Sequence, residues 1–308
     1  MRAPGPGAGM KRREFITLIA GAAFASTSAR AQQKLPTIGF LGSNTASATS
    51  QWVVAFVQRL RELGWTDGRT IAIEYRWAES RPERFGEIAA EFVRLKVDVI
   101  VTHNTPPVLA AMQTTTNIPI VFATAGDPIG SGVVASLARP GGNVTGLSSQ
   151  GTDTVGKRLG LMRELAPGFR RVMIMANMGN PYSVMQVGEV QASAGALGFD
   201  AVNLDIRRAE DIAPAISTLR GLTDVLYVAP DPLIFSSRIR INTLALQSRA
   251  ATVHGLREYL DGGGLMFYGP NWPNQFRRAA DLSTKFCAGP SQLTFLSNSR
   301  PNSILSST

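Results

Sequence analysis

The chain alternates short runs of β-branched and other apolar residues with longer helical patterns, and this alternation occurs twice in succession. The first block opens with the apolar run Thr37–Leu41, which is followed by Gln51–Leu63, where apolar side chains recur every three to four residues. Gly64 then ends the helical pattern. Strands that alternate with helices in this way are typical of a parallel sheet with helices on both faces. The sequence therefore predicts an α/β fold.

The same alternation predicts two similar lobes. In the first block, strands are expected at Thr70–Trp77, Val97–Thr102, Ile118–Ala123 and Val144–Ser149, and helices at Pro82–Leu95, Pro106–Thr115 and Ser131–Ala138. In the second block, helices are expected at Gly156–Leu165, Tyr182–Leu197 and Ala209–Leu219, and strands at Arg171–Ala176, Ala201–Ile206 and Asp224–Ala229. Two blocks of about 110 residues each have the size of a small domain. We expect Rossmann-like lobes at residues 35–147 and 150–262, with a crossover segment and helix at 263–282.

Composition excludes several classes of protein. Apolar residues make up 44% of the chain, which is too many for a disordered protein. The single cysteine, Cys287, and only two histidines provide neither a disulfide framework nor a metal-ligand cluster. The net charge of +9 is concentrated at the two ends of the chain, so the folded body lacks the basic surface that a nucleic-acid-binding protein needs. We therefore expect no nucleic-acid partner and no metal.

The N-terminal segment has the three parts of a signal peptide. The basic residues Lys11-Arg12-Arg13 precede the apolar run Phe15–Ala25, and Ala29-Arg30-Ala31 provides the small-residue cleavage site. The apolar run is too short to span a bilayer as a helix. We predict a signal peptide over residues 1–31, cleaved after Ala31, and a periplasmic mature protein. The paired arginines also permit export by the twin-arginine route.

Two glycine-rich segments resemble nucleotide-binding loops but depart from them. Gly151 and Gly156-Lys157 have the spacing of a phosphate loop, but Arg158 stands where a Ser or Thr must hold magnesium. The segment Gly39–Gly42 follows a strand but lacks the spacing of a dinucleotide-binding loop. An α/β enzyme that binds a nucleotide or another small metabolite in the cleft between the lobes is therefore the alternative function. No catalytic residue and no cofactor is assigned.

Polar, glycine-rich loops follow several of the predicted strands. Gly126-Asp127-Pro128 follows one strand of the first block, and Pro230-Asp231-Pro232 follows a strand of the second. Open α/β sheets place their ligands at the carboxyl ends of their strands. Hydroxyls, amides and backbone N–H groups suit the carboxylate of a zwitterion, and a lone aspartate suits its ammonium group. The loops predict a site for a small polar solute.

Several of these loops carry a family resemblance. The matching segments are TIGFLG at Thr37–Gly42, IPIVFATAGDP followed by GSGVVASLARPGGNVTG over Ile118–Gly146, GKRLGL at Gly156–Leu161, DPLIFSS at Asp231–Ser237, GGLMFYGPN at Gly263–Asn271 and QFRRAAD at Gln275–Asp281. The chain resembles the ABC-transporter substrate-binding family related to bacterial tryptophan and tyrosine receptors, which have the type I periplasmic-binding-protein fold. The resemblance covers about residues 35–282 and includes the segment that looks like a phosphate loop.

The resemblance implies a protein that captures a small solute between two lobes and delivers it to an ABC permease in the inner membrane. It implies hinge closure about segments near 147–150 and 262–264, and we expect a monomer. The residues that it assigns to the cleft are Ser43, Asn44, Thr105, Asp127, Asn180, Asp231 and Tyr268. Tyr182 and Phe235 would suit an aromatic or branched side chain by stacking and burial. A ligand-sensing domain of a regulator shares this two-lobed body, but the signal peptide and the lack of a helix-turn-helix segment before residue 35 disfavour it.

The C-terminal segment departs from the family. Relatives continue with a stretch like DLVDKILRGAKPADIPVEQPTKFDLVINL, whereas Ser283–Thr308 is rich in Ser and Asn and contains no acidic residue. Removal of one base from a codon for the family's Val allows the same nucleotides to encode both segments. We therefore expect residues 283–308 to be a frameshifted, non-native tail, with the closing strand and helix of the family missing. Resequencing that found a continuous native frame would contradict this expectation.

Overall fold

The structure, a computed structural model, describes residues 34–288, and from Pro36 onward these belong to one compact unit. Two five-stranded sheets, in which every strand pair is parallel, form the centres of two lobes. This arrangement confirms the predicted pair of α/β lobes with Rossmann-like topology. Among the described residues, no helix combines the length and the apolar character that a bilayer span requires.

The first lobe is built on a sheet of strand order β2-β1-β3-β4-β5. Its strands are β1 (Thr37–Gly42), β2 (Ala72–Trp77), β3 (Val99–Thr102), β4 (Ile120–Ala125) and β5 (Val144–Ser148), and its helices are α1 (Ser50–Glu62), α2 (Glu83–Leu95) and α3 (Thr105–Thr114). Strands β3 and β4 are buried along their whole length, as expected for apolar runs with helices on both faces.

The second lobe repeats this plan in a sheet of order β10-β9-β8-β6-β7. Its strands are β6 (Arg171–Ala176), β7 (Asp200–Asp205), β8 (Asp224–Val228), β9 (Ala251–His254) and β10 (Met266–Phe267), and its helices are α4 (Val155–Leu165), α5 (Pro181–Ala196), α6 (Ile212–Ser217), α7 (Pro232–Ser236) and α8 (Arg238–Gln247). Helix α9 (Trp272–Cys287) then returns to the first lobe and packs against α1.

Strands numbered in chain order within each lobe have the same order, 2-1-3-4-5. In such a sheet the chain leaves the first and third strands on opposite faces, and a crevice opens between their carboxyl ends. These strands are β1 and β3 in the first lobe and β6 and β8 in the second. The topology therefore predicts a ligand site at the loops that follow β1 and β3 and at those that follow β6 and β8.

One apolar cluster includes residues of both lobes. The ring of Trp52 on α1 lies 5.3 Å from that of Phe235 on α7, and 4.7 Å from that of Trp272 at the start of α9. All three side chains are buried. The lobes are therefore in apolar contact along one side of the space between them.

The structure differs from the sequence-based expectations at three places. The predicted helix at Ser131–Ala138 is wrong: this segment forms turns, because Gly132 has a positive φ of 74° and Pro140 follows shortly after. The second sheet continues to Phe267, so the return crossing follows β10 rather than lying at 262–264. Helix α9 extends through Cys287, five residues beyond the expected end at Leu282, because Ser283 and Cys287 continue its buried face. The rest of the expected tail, like the signal peptide, lies outside the described residues.

Candidate functional site

The first-lobe crevice is lined by neutral polar groups that follow β1 and β3. Ser43 Oγ lies 2.8 Å from His103 Nε2, donates to Asn44 Oδ1 at 2.9 Å and accepts from Asn104 Nδ2 at 2.9 Å. Thr105, the first residue of α3, is buried beside them. The crevice therefore offers hydroxyl and amide groups and no formal charge.

Ser43 and His103 have the separation of a nucleophile and its base, but their surroundings do not suit that chemistry. Both side chains are fully buried, and His103 Nδ1 has no hydrogen-bond partner among the described residues. Burial lowers the pKa of His103 to about 3. A neutral imidazole with so low a pKa is a poor general base at pH 7, so this pair serves the packing of the loop.

Asn44 reaches from the first lobe to the second. Its side-chain amide lies within hydrogen-bonding distance of Pro232 O at 2.7 Å and Ser236 Oγ at 3.0 Å, both on α7. The same amide can donate to Ser80 Oγ in its own lobe at 2.9 Å, and the Ser80 and Ser236 hydroxyls are themselves hydrogen-bonded to each other. The two lobes are thus joined by polar contacts at this point.

The second-lobe crevice centres on Asp231, which follows β8. One carboxylate oxygen accepts from the backbone N–H groups of Leu233 at 2.8 Å and Ile234 at 3.4 Å, and so caps the N-terminus of α7. The other accepts from the amides of Asn180 at 3.0 Å and Asn177 at 3.3 Å. Burial raises the pKa of Asp231, although these hydrogen bonds oppose the shift.

An outer cavity of about 260 Å³ lies between the two crevices. The first lobe contributes Ser80, Phe85 and Pro106 to its wall, and the second contributes Asn180, Arg207 and Asp231, among others. Its lining combines an aromatic ring, prolines and groups of both charges. A cavity of this size and lining can hold a small organic molecule with one apolar part.

A smaller inner cavity of about 20 Å³ lies where the chain crosses between the lobes. It is lined by Thr105 and Thr124 of the first lobe, Arg158 and Tyr182 of the second, and Trp272 of the return crossing, among others. The side chain of Asn180 lines both cavities, which places them next to each other. The inner cavity has room for about one or two water-sized groups.

The Tyr182 ring fills the space beside the crossing segments. A Cβ atom at Gly126 would lie 2.1 Å from carbons of this ring, and one at Gly151 would lie 1.8 Å from its hydroxyl oxygen. Only glycine permits so close an approach at these two positions. The Tyr182 hydroxyl accepts a hydrogen bond from Gln186 at 2.9 Å, and burial raises its pKa.

Six of the nine predicted site residues lie in the two crevices. These are Ser43, Asn44, Thr105, Asn180, Tyr182 and Asp231. Four of the six, Thr105, Asn180, Tyr182 and Asp231, line one or both cavities, whereas Ser43 and Asn44 belong to the first-lobe crevice but line neither. The other three predicted residues, Asp127, Phe235 and Tyr268, lie outside the crevices and line neither cavity.

Each of these three has a different local role. Asp127 Oδ1 accepts from the N–H groups of Ile129 and Gly130 and closes a turn. Phe235 packs against Trp52 in the shared apolar cluster. Tyr268 is 40% exposed, and its backbone carbonyl, rather than its ring, accepts from Arg158 Nε at 2.7 Å.

Sequence reasoning did not assign Thr124, Arg158 or Trp272 to the site. Arg158 was interpreted only as the residue that breaks a phosphate-loop pattern. One signal was present: Arg158 lies on the same helical face as Val155, Leu159 and Met162, all of which are buried. A charged residue in an apolar stripe indicates a buried charge with a specific use.

Solved structures share the fold of the chain. It matches an ABC domain from Streptococcus pneumonia in complex with L-Trp, which is 20% identical, with a TM-score of 0.75. It also matches the ligand-free, open structure of a substrate binding protein with adhesive properties from Clostridium difficile, which is 28% identical, with a TM-score of 0.57. Each match covers 82% of this chain and 84% of the other. The predicted type I periplasmic-binding-protein fold is confirmed.

Sequence comparisons identify the family. The chain is 30% identical, over 236 residues, to a tyrosine-binding protein of Clostridioides difficile (strain R20291), an alignment that covers 77% of this chain and 68% of the relative. The family model described as ABC transporter substrate binding protein matches residues 46–305. The match includes the second-lobe crevice, the part of the first crevice that follows β3 and the crossing segments, and it confirms the resemblance found in the sequence. The chain belongs to the ABC transporter substrate binding protein family.

Proposed function

We propose that the chain is the extracytoplasmic receptor of an ABC importer, which captures an amino acid with an aromatic or branched side chain and presents it to a permease in the inner membrane. The observation that carries this proposal is the pair of facing crevices. Both lie at the switch point of a parallel sheet, and residues of both lobes line one cavity that lies between them. The cavity provides an aromatic wall and a buried carboxylate, the groups that an amino acid with an apolar side chain needs.

Hinge closure is part of the proposal. The hydrogen bonds from Asn44 to α7 join residues that only a closed arrangement brings together. Two further side chains of the first lobe, Gln51 and Trp52, donate to the carboxylate of Glu258 in the second lobe at 2.7 and 2.6 Å. We infer that the lobes rotate apart about residues 149–154 and 268–271, since these segments are the two crossings.

The relatives support a binding role rather than a catalytic one. The named relatives are a tyrosine-binding protein and a substrate binding protein. The one nucleophile–base geometry in the crevices, Ser43 with His103, lacks a base of suitable pKa. The proposal therefore includes no covalent step and no cofactor, and its partners are a small solute and the permease.

A ligand screen tests the proposal. The full-length gene is expressed in a bacterial host, the exported protein is purified, and its N-terminal sequence is determined; we expect it to begin at Gln32, directly after Ala31. Thermal unfolding is then measured with each L-amino acid. A ligand at 100 times its dissociation constant adds about 2.7 kcal/mol to the free energy of unfolding. A hit should also reduce the radius of gyration in small-angle X-ray scattering. Amino acids that neither stabilise nor compact the protein would contradict the proposal.

The importer role needs a cellular measurement. Uptake of the radiolabelled solute is compared between the source strain and a strain that lacks this gene. We expect uptake to fall in the deletion strain and to return when the gene is restored. Unchanged uptake would show that the protein binds its solute for another purpose.

A further inference from the structure

Arg158 is a buried cation whose partners are all neutral. Its side chain, on the first turn of α4, is 1% exposed. It donates to Tyr268 O at 2.7 Å, Tyr227 Oη at 2.6 Å and Gly151 O at 3.3 Å, and it forms no ion pair with any residue of the part that the structure describes. Burial of a guanidinium without a counter-ion is costly, and proteins seldom retain one without a use for it.

The same cavity contains further donors without acceptors. Within residues 34–288, the hydroxyl of Thr124 and the indole N–H of Trp272 are buried and have no hydrogen-bond partner. Arg158 Nη2 likewise makes none. All three residues line the inner cavity, and no Asp or Glu is among its lining residues. The inner cavity thus combines a cation with unused N–H and O–H groups in one small, enclosed space.

We propose that the inner cavity is the carboxylate subsite of the solute, with Arg158 as its ionic partner and Trp272 and Thr124 as hydrogen-bond donors. This assignment rests on the proposed function and specifies its substrate class: a small organic molecule with a free carboxylate. A water molecule could satisfy the orphan donors but could not neutralise the guanidinium. A carboxylate does both, and Arg is the side chain whose geometry best matches it.

The neighbouring cavity determines where the rest of the molecule lies. The inner cavity, with room for about one or two water-sized groups, can take the two oxygens of a carboxylate but not an aromatic ring, whereas the outer cavity is more than ten times larger. Asn180 lines both, so a molecule held at Arg158 extends past Asn180 toward Phe85 and Asp231. If the molecule is an amino acid, its ammonium group can approach the Asp231 carboxylate. Both charged groups of a zwitterion then have an opposite charge in the site.

The test compares carboxylates with their neutral analogues. The probes are L-tyrosine, L-tryptophan and L-leucine, the carboxamide of each, the decarboxylated amine of each, and 4-hydroxybenzoate. Affinities are measured by calorimetry on the purified exported protein and on two variants of α4, Arg158→Gln and the control Arg163→Gln, whose arginine is exposed on the same helix. We expect the wild-type protein and the control to bind the acid about 10- to 100-fold more tightly than its carboxamide, as for hydrogen bonds to charged groups. In Arg158→Gln this ratio should fall to about 3-fold or less.

Trp272→Phe keeps a ring in the same place and removes only the N–H donor, so it tests the proposal even if Arg158→Gln fails to fold. It should weaken acid binding by about 5- to 10-fold and leave carboxamide binding almost unchanged. Equal losses for acid and carboxamide in both variants would assign Arg158 and Trp272 a structural role and overturn the proposal. So would tight binding of the amides or amines by the wild-type protein.

The panel separates failure of this inference from failure of the proposed function. If 4-hydroxybenzoate binds in an Arg158-dependent way and no amino acid does, the carboxylate subsite stands and amino-acid capture fails. If only amines or carboxamides bind, solute capture stands and the subsite fails. If no probe binds the wild-type protein, both are overturned.

Discussion

The two crevices face each other, but their polar groups are satisfied in different ways. In the second lobe, Asp231 is held by Asn177, Asn180 and two N–H groups of its own lobe, so its hydrogen bonds persist when the lobes separate. In the first lobe, Asn44 has partners across the cleft on α7. In the hinge motion that we propose, the second crevice is therefore preformed, and the first is completed when the lobes close. This difference lowers the conformational entropy cost of binding, because one half of the site is already ordered before the ligand arrives.

The two lobes also differ at the starts of their third strands, β8 and β3, away from the cleft. Asp224 opens β8 and accepts two hydrogen bonds from the guanidinium of Arg171, at 2.9 and 2.6 Å. At the equivalent place in the first lobe, Asp98 accepts from the backbone N–H of Thr37 at 2.7 Å. Asp224 is buried, whereas Asp98 is exposed. The same topological position therefore carries a buried ion pair in one lobe and a surface contact in the other.

The largest expected effect comes from breaking that ion pair. Asp224→Ala leaves the Arg171 guanidinium without its partner. Loss of one member of a fully buried pair costs about 3–5 kcal/mol, and because the Arg171 side chain is 20% exposed we expect a loss at the lower end, about 3 kcal/mol. The matched variant Asp98→Ala should change the free energy of unfolding by about 1 kcal/mol or less, because its contact is exposed. Urea denaturation measures both. Equal losses in the two variants would contradict the contrast between the lobes.

A smaller effect is expected at the loop after β4, where Gly126 lies against the Tyr182 ring. Gly126→Ala would place a Cβ 2.1 Å from the Tyr182 ring, and overpacking of this kind costs about 1–3 kcal/mol. Gly160→Ala on α4 is the control: its Cβ would have no heavy atom within 4 Å, and alanine in a helix should stabilise by about 0.5–1 kcal/mol. Thermal unfolding of the two variants should therefore shift in opposite directions. A stable Gly126→Ala variant would show that Tyr182 does not pack there.

The asymmetry between the crevices predicts a variant that affects closure. Asn44→Ala removes the contacts to α7 and should shift the unliganded protein toward the open form by about 1–1.5 kcal/mol. Asn143→Ala is matched to it, since Asn143 donates to Thr115 O and Ile118 O within the first lobe alone. Small-angle scattering should show a larger radius of gyration only for Asn44→Ala. The same increase in both variants would mean that Asn44 is not a closing contact.

The sequence predicted the layers of this fold better than it predicted the site. The alternation of strand and helix patterns identified both sheets, because burial on two faces leaves continuous apolar runs such as those of β3 and β4. It also placed Asn44 and Asp231 at strand ends, where topology brings them to facing crevices. It could not predict that Asn44 would contact Pro232, since that contact depends on how the lobes close.

Arg158 and Trp272 were missed for a related reason. Their place in the site depends on packing between elements that are 110 residues apart, which no local pattern records. The turn at 131–138 was mistaken for a helix because its apolar residues have helical spacing. Glycine and proline override that spacing here.

The smallest expected effect is a difference in pH dependence between two aspartates of the second lobe. Burial raises the pKa of Asp231 above its ordinary 3.8, so this carboxyl group loses its proton in the unfolded chain at a lower pH than in the folded chain. Its contribution to the free energy of unfolding is therefore complete below pH 3.8 and is lost as the pH rises through the folded-state pKa. Burial also favours a higher pKa at Asp224, but hydrogen bonds from Arg171 and the Arg220 N–H outweigh burial and lower the pKa of this group. The contribution of Asp224 to the free energy of unfolding is therefore present above pH 3.8 and is lost as the pH falls through the folded-state pKa. Relative to wild type, Asp231→Asn should therefore gain stability as the pH is raised from 3 to 7, while Asp224→Asn should lose it. Asparagine still accepts at the N-cap of α7, so the helix should persist in the first variant. Denaturation curves at several pH values give both slopes, and slopes of the same sign would mean that the two carboxylates do not differ in the way their hydrogen bonds indicate.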